Sequence, residues 1–138
     1  MTTVDENTIK ATLVPEADRL DFYPRFLKVS DFFRFETLVF SYMATFSAGY
    51  SGGMWDFYDL SNGGFYVAPK GEDNVIFDVA SNWFQGELSP DAAGIVVTLY
   101  ALNRLLSNGN QRYIEHYYNL LDYAAQHPEA SKIRGAID

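Results

Sequence analysis

The segment Gly49-Tyr50-Ser51-Gly52-Gly53 has the G-x-S-x-G spacing in which hydrolases present a serine nucleophile, so Ser51 is the first side chain to test for chemistry. A nucleophile elbow follows a strand and opens a helix. Ser51 instead follows a helical pattern and precedes a strand pattern, and 138 residues is short for the usual host fold. The segment reads as a glycine turn, with a small serine hydrolase built on Ser51 as an alternative. His116 and His127 are the only histidines, and there is no cysteine. Glu115 or Glu129 could be paired with them, but no carboxylate sits at the spacing of a zinc-protease helix. Each histidine therefore reads as solvated or hydrogen-bonded. Asp56, Asp59 and Asp78 fall in strand-like segments, and the spacing of Asp56 and Asp59 sends them to opposite faces, which argues against an acid/base pair. No glycine loop runs from a strand into a helix as a phosphate site requires, and Gly94 lies inside a helical pattern, where close packing is the reason for it. The sequence assigns no catalytic residue, no metal and no cofactor.

The bulk properties narrow the classes further. A hydrophobic fraction of 48% with 17% aromatics supplies enough apolar surface for a globular core, so the chain is read as a loose arm over residues 1–10 and one domain over 11–138. The absence of cysteine suits a reducing compartment. The opening Met1-Thr2-Thr3-Val4-Asp5-Glu6 lacks a basic and then apolar leader, and no apolar run reaches a membrane-spanning length; the expectation is a cytoplasmic protein. Net charge is −8, and residues 31–100 hold nine acids against Arg34 and Lys70 alone, which leaves −7 in the centre. That sign repels phosphates, so direct nucleic-acid binding is not expected; a basic protein partner or solubility accounts for the charge.

The elements that must carry these residues follow from periodicity. Pro15 and Pro24 interrupt the lead-in from Ala11 to Leu27, which reads as extended with at most one short helical turn. Ser30-Asp31 can cap a helix near 31–48, with Phe35, Leu38, Val39, Tyr42, Met43 and Phe46 in its stripe. Phe32, Phe33 and Phe40 widen that stripe nearly all round, which predicts a central, buried helix. The period then changes to two. Strands are expected near 54–60, 65–69 and 74–79 in one small antiparallel sheet. A three-residue turn with Gly64 left-handed pairs Ser61 with Phe65 and gathers Trp55, Phe57, Phe65 and Val67 on one face. The other face then shows Asp56, Tyr58, Leu60 and Tyr66. Ser89-Pro90-Asp91 starts a helix near 90–107, with Ile95, Leu99, Leu102 and Leu106 inward and a stop at Asn108-Gly109. A helix near 111–126 turns Ile114, Tyr117, Leu121 and Ala124 inward, and His127-Pro128 breaks it before a short helix near 129–136. Its tyrosines, Tyr113, Tyr117, Tyr118 and Tyr123, read first as core packing. The class is α+β.

Several ordered segments resemble the KlcA/ArdB antirestriction proteins. Ala11-Thr12-Leu13-Val14-Pro15 and Arg19-Leu20-Asp21-Phe22 fit the family's lead-in. Its most specific piece is Trp55 with Phe57-Tyr58, followed by Leu60-Ser61-Asn62-Gly63-Gly64-Phe65-Tyr66 and Ala68-Pro69. Gly86-Glu87-Leu88-Ser89, Asp91-Ala92-Ala93-Gly94-Ile95-Val96, His127-Pro128-Glu129-Ala130 and Ala136-Ile137-Asp138 complete the match, while Trp83 and Pro90 depart from it. The resemblance implies an inhibitor that helps a plasmid or other mobile element escape type I restriction-modification enzymes, through protein contacts and without catalysis or cofactor. The acids are too sparse to trace regularly spaced phosphates, so a DNA mimic filling the enzyme's DNA channel is the alternative. Exposure and charge nominate Asp56, Tyr58 and Tyr66 on the outer sheet face, the acidic turn Glu72-Asp73 and the terminal Asp138 as partner-binding residues.

Overall fold

Ser89-Pro90-Asp91 opens the helix around which the other elements are placed. The structure, a computed structural model, describes residues 8–106 and 110–138. Residues 1–7 of the expected arm, the last residue of the expected 90–107 helix and the Asn108-Gly109 stop lie outside the described residues. Helix α3 (Pro90–Leu105) is capped as its sequence dictates: the Ser89 hydroxyl accepts from the Ala92 N–H at 3.1 Å, with proline in the first turn. It is buried nearly all round, from Ala92 through Leu99 and on to Leu105.

The central position expected for α2 (Phe32–Phe46) belongs to α3. Helix α2 buries Phe35, Val39, Met43 and Phe46 but leaves Phe33 82% exposed. The reason is size. Ala92, Ala93, Gly94 and Ala101 let neighbours approach α3 from every side, whereas the phenylalanines of α2 keep neighbours off all but one face. Nor does Asp31 cap α2 with its side chain; its carboxylate instead accepts the Tyr113 hydroxyl at 2.5 Å.

Strands β1 (Ala11–Leu13), β2 (Trp55–Leu60) and β3 (Phe65–Pro69) form an antiparallel sheet in that order. Strand β4 (Val75–Val79) does not join it; it pairs with β5 (Phe84–Leu88) in a separate hairpin. The edge of β3 where β4 was expected is occupied by α3. Thr98 Oγ1 accepts from the Val67 N–H at 3.2 Å and donates to the Val67 carbonyl at 3.3 Å, so one hydroxyl satisfies both backbone groups of an edge residue. Gly94 makes that approach possible: a Cβ there would lie 2.4 Å from the Ala68 Cα and 2.5 Å from the Val67 carbonyl oxygen.

The β2–β3 register pairs Phe57 with Val67 and Tyr58 with Tyr66, which brings Leu60 opposite Gly64 and makes Ser61-Asn62-Gly63 the turn. Gly63, at φ 92°, is the left-handed residue rather than Gly64. The expected pairing of Ser61 with Phe65 is therefore off by two positions. A shift of two preserves the faces, so Trp55, Phe57, Phe65 and Val67 still share one.

The lead-in is more helical than its prolines suggested. A 3-10 helix (Glu16–Asp21) runs into helix α1 (Phe22–Phe26), in which Pro24 sits in the first turn, where its missing N–H is harmless. Helix α4 (Gln111–Gln126) buries Ala124 as expected, but Tyr113, His116 and Leu120 turn inward in place of Ile114, Tyr117 and Leu121, each one position earlier. Helix α5 (Ala130–Ile137) closes the described chain. Ile9 and Lys10, expected in a loose arm, are held: Ile9 exchanges two hydrogen bonds with the Gln126 amide, and the Lys10 N–H donates to the Ser61 hydroxyl while the Lys10 carbonyl accepts from the Ser61 N–H. One continuous buried cluster spans Val14 to Ala136.

Candidate partner-binding surface

The outer sheet face is less free than its sequence implies. Asp56 lies in β2 with a side chain only 15% exposed, 3.2 Å from the Arg19 guanidinium and 3.9 Å from Lys70. Asp59 points the other way and pairs separately with Arg25 at 2.9 Å, so the two acids are kept apart as their spacing requires. Arg19 also lies 5.1 Å above the Phe57 ring. Asp56 thus meets solvent largely neutralised.

Tyr58 is half-buried and stacks on Tyr66 with ring centroids 4.7 Å apart. Tyr66 keeps the face expected of it, beside Tyr58, but is itself buried, 1% exposed, which corrects its expected exposure. Its hydroxyl donates to Asp91 at 2.6 Å, and burial with that acid beside it pushes the phenol well above its ordinary range.

Asp91 is the hub of a polar cluster at the N-terminal end of α3. Its second oxygen meets His127 Nε2 at 2.8 Å, and the Glu129 N–H donates to His127 Nδ1 at 3.0 Å. A ring nitrogen that accepts carries no proton, so the donor toward Asp91 is Nε2. Burial alone would raise the Asp91 carboxyl, but the bonds from His127 and Tyr66 outweigh it and hold the group below the usual carboxylate range. The Glu129 carboxylate accepts the Ser89 N–H at 2.9 Å and also the Ser89 hydroxyl. This is the reciprocal bonding of a capping box, with the glutamate supplied from forty residues away instead of three. Both His127 nitrogens are used, and so is the Ser89 hydroxyl. The cluster fastens α5 to α3 and offers no idle base.

Ser51 is exposed in the turn after α2, and neither histidine is hydrogen-bonded to it. A serine nucleophile needs such a base. His116 is not solvated or hydrogen-bonded as expected; it is 7% exposed, packs edge-on against Phe26 and Phe65, and neither ring nitrogen makes a hydrogen bond of good geometry. Burial, with Arg112 second, holds its pKa below the ordinary 6.5 against a weak opposing pull from the Phe26 backbone. Among the described residues no group of three or more acids and histidines could hold a metal ion. No described helix is long and apolar enough to cross a membrane.

Glu72 and Asp73 are exposed, as expected, and line a shallow hollow with Lys70, the residue drawn toward Asp56. Asp138 is exposed but lies in a different hollow, between α4 and α5. The nominated residues therefore fall into three places. Asp56 and the Glu72-Asp73 turn meet around Lys70, Tyr58 and Tyr66 belong to the Asp91 cluster, and Asp138 stands alone. Sequence reasoning missed Arg19 and Lys70 as the partners of Asp56, and missed the His127–Asp91 link across thirty-six residues. The one available signal was that both segments of that link carry the family resemblance.

Residues 48–138 match the antirestriction protein family. An antirestriction protein KlcA of Escherichia coli is 47% identical over 137 residues, covering 94% of each chain. A second KlcA from the same species is 42% identical over the whole of both chains. A solved structure is superposable with a TM-score of 0.89 at 42% identity, covering 99% of this chain and 100% of its own. That structure is described as showing a novel fold for the KlcA and ArdB proteins, with antirestriction activity against Type I DNA restriction systems in vivo but not in vitro.

Proposed function

The chain belongs to the KlcA/ArdB antirestriction protein family, and on that premise we propose that it lowers type I restriction in the cytoplasm by protein contact, without a catalytic step. The observation that carries this is the full-length match in both sequence and fold to a protein active against such systems. The geometry supports a non-catalytic reading. Both histidines are committed, one to the core and one to the Asp91 cluster, and Ser51 has no base.

A DNA mimic is less well supported. Such a surface needs regularly spaced free carboxylates, and here Asp56, Asp59 and Asp91 are engaged by Arg19, Arg25 and His127. Of the acids nominated as contacts, Glu72, Asp73 and Asp138 are exposed and lie in two separate places, and these stay the nominated contacts of this reading.

Because the solved relative acts in vivo but not in vitro, the deciding assay is done in cells. Phage are plated on cells carrying an active type I system, with and without this protein, and restriction and methylation are scored separately. The expected outcome is restored plating with methylation intact, and no loss of protection with Ser51→Ala. Loss of both activities would favour the mimic. Unchanged plating would refute the antirestriction reading.

A further inference from the structure

The β4–β5 hairpin has one face in the core and one face bare. Phe77, Val79 and Leu88 are buried, whereas Ile76 is 61% exposed and Asp78, Gln85 and Glu87 share its side. The C-terminal end of α2 and the glycine turn after it form the opposite bank of a groove of about 850 Å³, in which Ser47, Tyr50 and Ser51 face Ile76, Asp78 and Gln85. Among the described residues no lysine or arginine lines it. Asp78 makes no ion pair or side-chain hydrogen bond among the described residues, and α2 has no basic residue in its last turn to offset the negative end of its dipole. The groove runs into the hollow that holds Glu72 and Asp73, the two sharing Tyr50, Gly52 and Val75.

Trp83 stands in the turn between β4 and β5, flanked by the groove-lining Ala80 and Gln85. It is 96% exposed and has φ 56°, the left-handed region that a bulky side chain avoids. The turn is held by its neighbours: Asn82 Nδ2 donates to the Tyr100 hydroxyl at 2.9 Å and to the Ala136 carbonyl at 2.7 Å. A glycine would close this turn with less strain, yet the chain places a solvated indole there. Strain combined with exposure of a residue type that anchors interfaces is the mark of a recognition position.

We propose that the groove between the bare face of β4–β5 and the C-terminal end of α2, with Trp83 at its rim, docks an arginine- or lysine-bearing segment of a partner protein. The inference rests on the reading that this chain works through protein contacts, and DNA-handling enzymes display basic segments of this kind. Asp78 pairs the cationic head, the indole of Trp83 offers its face to the same charge, and Ile76 takes the aliphatic stem.

The test uses the full-length protein and an alternating arginine-leucine heptapeptide as probe, followed by amide and indole NMR at low salt. The expected result is a shift of the Trp83 indole and of the amides of residues 76, 78 and 85, with at least tenfold weaker binding in Asp78→Lys. Trp83→Gly should bind at least threefold more weakly while melting no lower than the parent, since glycine relieves the left-handed backbone. In the plating assay the Asp78→Lys/Trp83→Gly double variant should lose at least tenfold in protection. Shifts confined to residues 56–66, equal shifts from a glutamate-leucine peptide or an oligonucleotide, shifts with protein concentration alone, or full protection by the folded double variant would each overturn the groove. Failure of the parent chain to protect would refute the antirestriction reading by itself, and the peptide mapping would still decide the groove.

Discussion

The N-terminal end of α3 and the bare face of β4–β5 are both acidic, but they hold their acids in opposite ways. At α3, Asp91 takes bonds from Tyr66 and His127, and Glu129 takes bonds from Ser89. On the hairpin, Asp78 has no partner among the described residues, and Glu87 engages Lys132 through its backbone carbonyl. The first arrangement converts charge into rigidity, because a partly buried carboxylate with donors on both oxygens fixes the elements that supply them. The second leaves charge available to another molecule. Net charge therefore says little about where a partner binds; what counts is which acids the fold has not already used.

The contrast depends on α3 staying against β3, since that helix carries the cluster at one end and sets the hairpin apart from the main sheet. Gly94→Ala attacks this directly. Its Cβ would lie 2.4 Å from Ala68 backbone, which cannot rotate away, so the helix must lift and both Thr98 bonds to Val67 must stretch. We expect a loss of about 3 kcal/mol in denaturant unfolding, the upper range for overpacking a core. A loss below about 1 kcal/mol would mean that α3 slides freely along β3, and the edge-protection argument would fail.

Asp91→Asn and Asp78→Asn then compare the two regions by the same change. At residue 91 the amide must present a donor to the Tyr66 hydroxyl or to His127 Nε2, whose tautomer is fixed by Glu129, so about 2 kcal/mol should be lost at neutral pH. At residue 78 no described residue is a partner, and stability should change by less than about 0.5 kcal/mol. The Asp91 carboxyl is held below its ordinary 3.8, so its contribution is present above that pH and is lost as pH falls through the folded value. Parent and Asp91→Asn should accordingly converge in strong acid. Equal losses at the two positions would erase the distinction.

Much of this was legible in advance, and the failures share a cause. The helix starting at Ser89, the packing role of Gly94, the opposed faces of Asp56 and Asp59 and the break at His127-Pro128 all follow from local rules that hold whatever surrounds them. What escaped was set by distant neighbours. Strand β5 carries Gly86 at its centre and follows a strained turn, so its alternation is weak; β4 reads from sequence as a third strand of the main sheet because nothing local reveals that α3 covers the β3 edge. The site reading failed in the same way. Asp56 and Tyr66 look free in sequence, and only the fold brings Arg19 to one and Asp91 to the other.

The smallest expected effect separates the core from both acidic regions. His116 is neutral in the folded core, with burial and Arg112 holding its pKa below 6.5, while Glu115 opposes them weakly. The unfolded chain takes up a proton near 6.5, so folding stability is intact above that pH and declines as pH falls toward the folded value, with a slope of at most about 1.4 kcal/mol per pH unit. His116→Phe keeps a ring against Phe26 and Phe65 and removes the proton site. Melting curves of the variant should lose this decline between pH 7 and 5 and, carried on below pH 3.8, keep the later one that belongs to Asp91. If the decline persists in the variant, the titrating group lies elsewhere. If both declines vanish, the core histidine and the Asp91 cluster are coupled, and the two regions cannot be treated as independent.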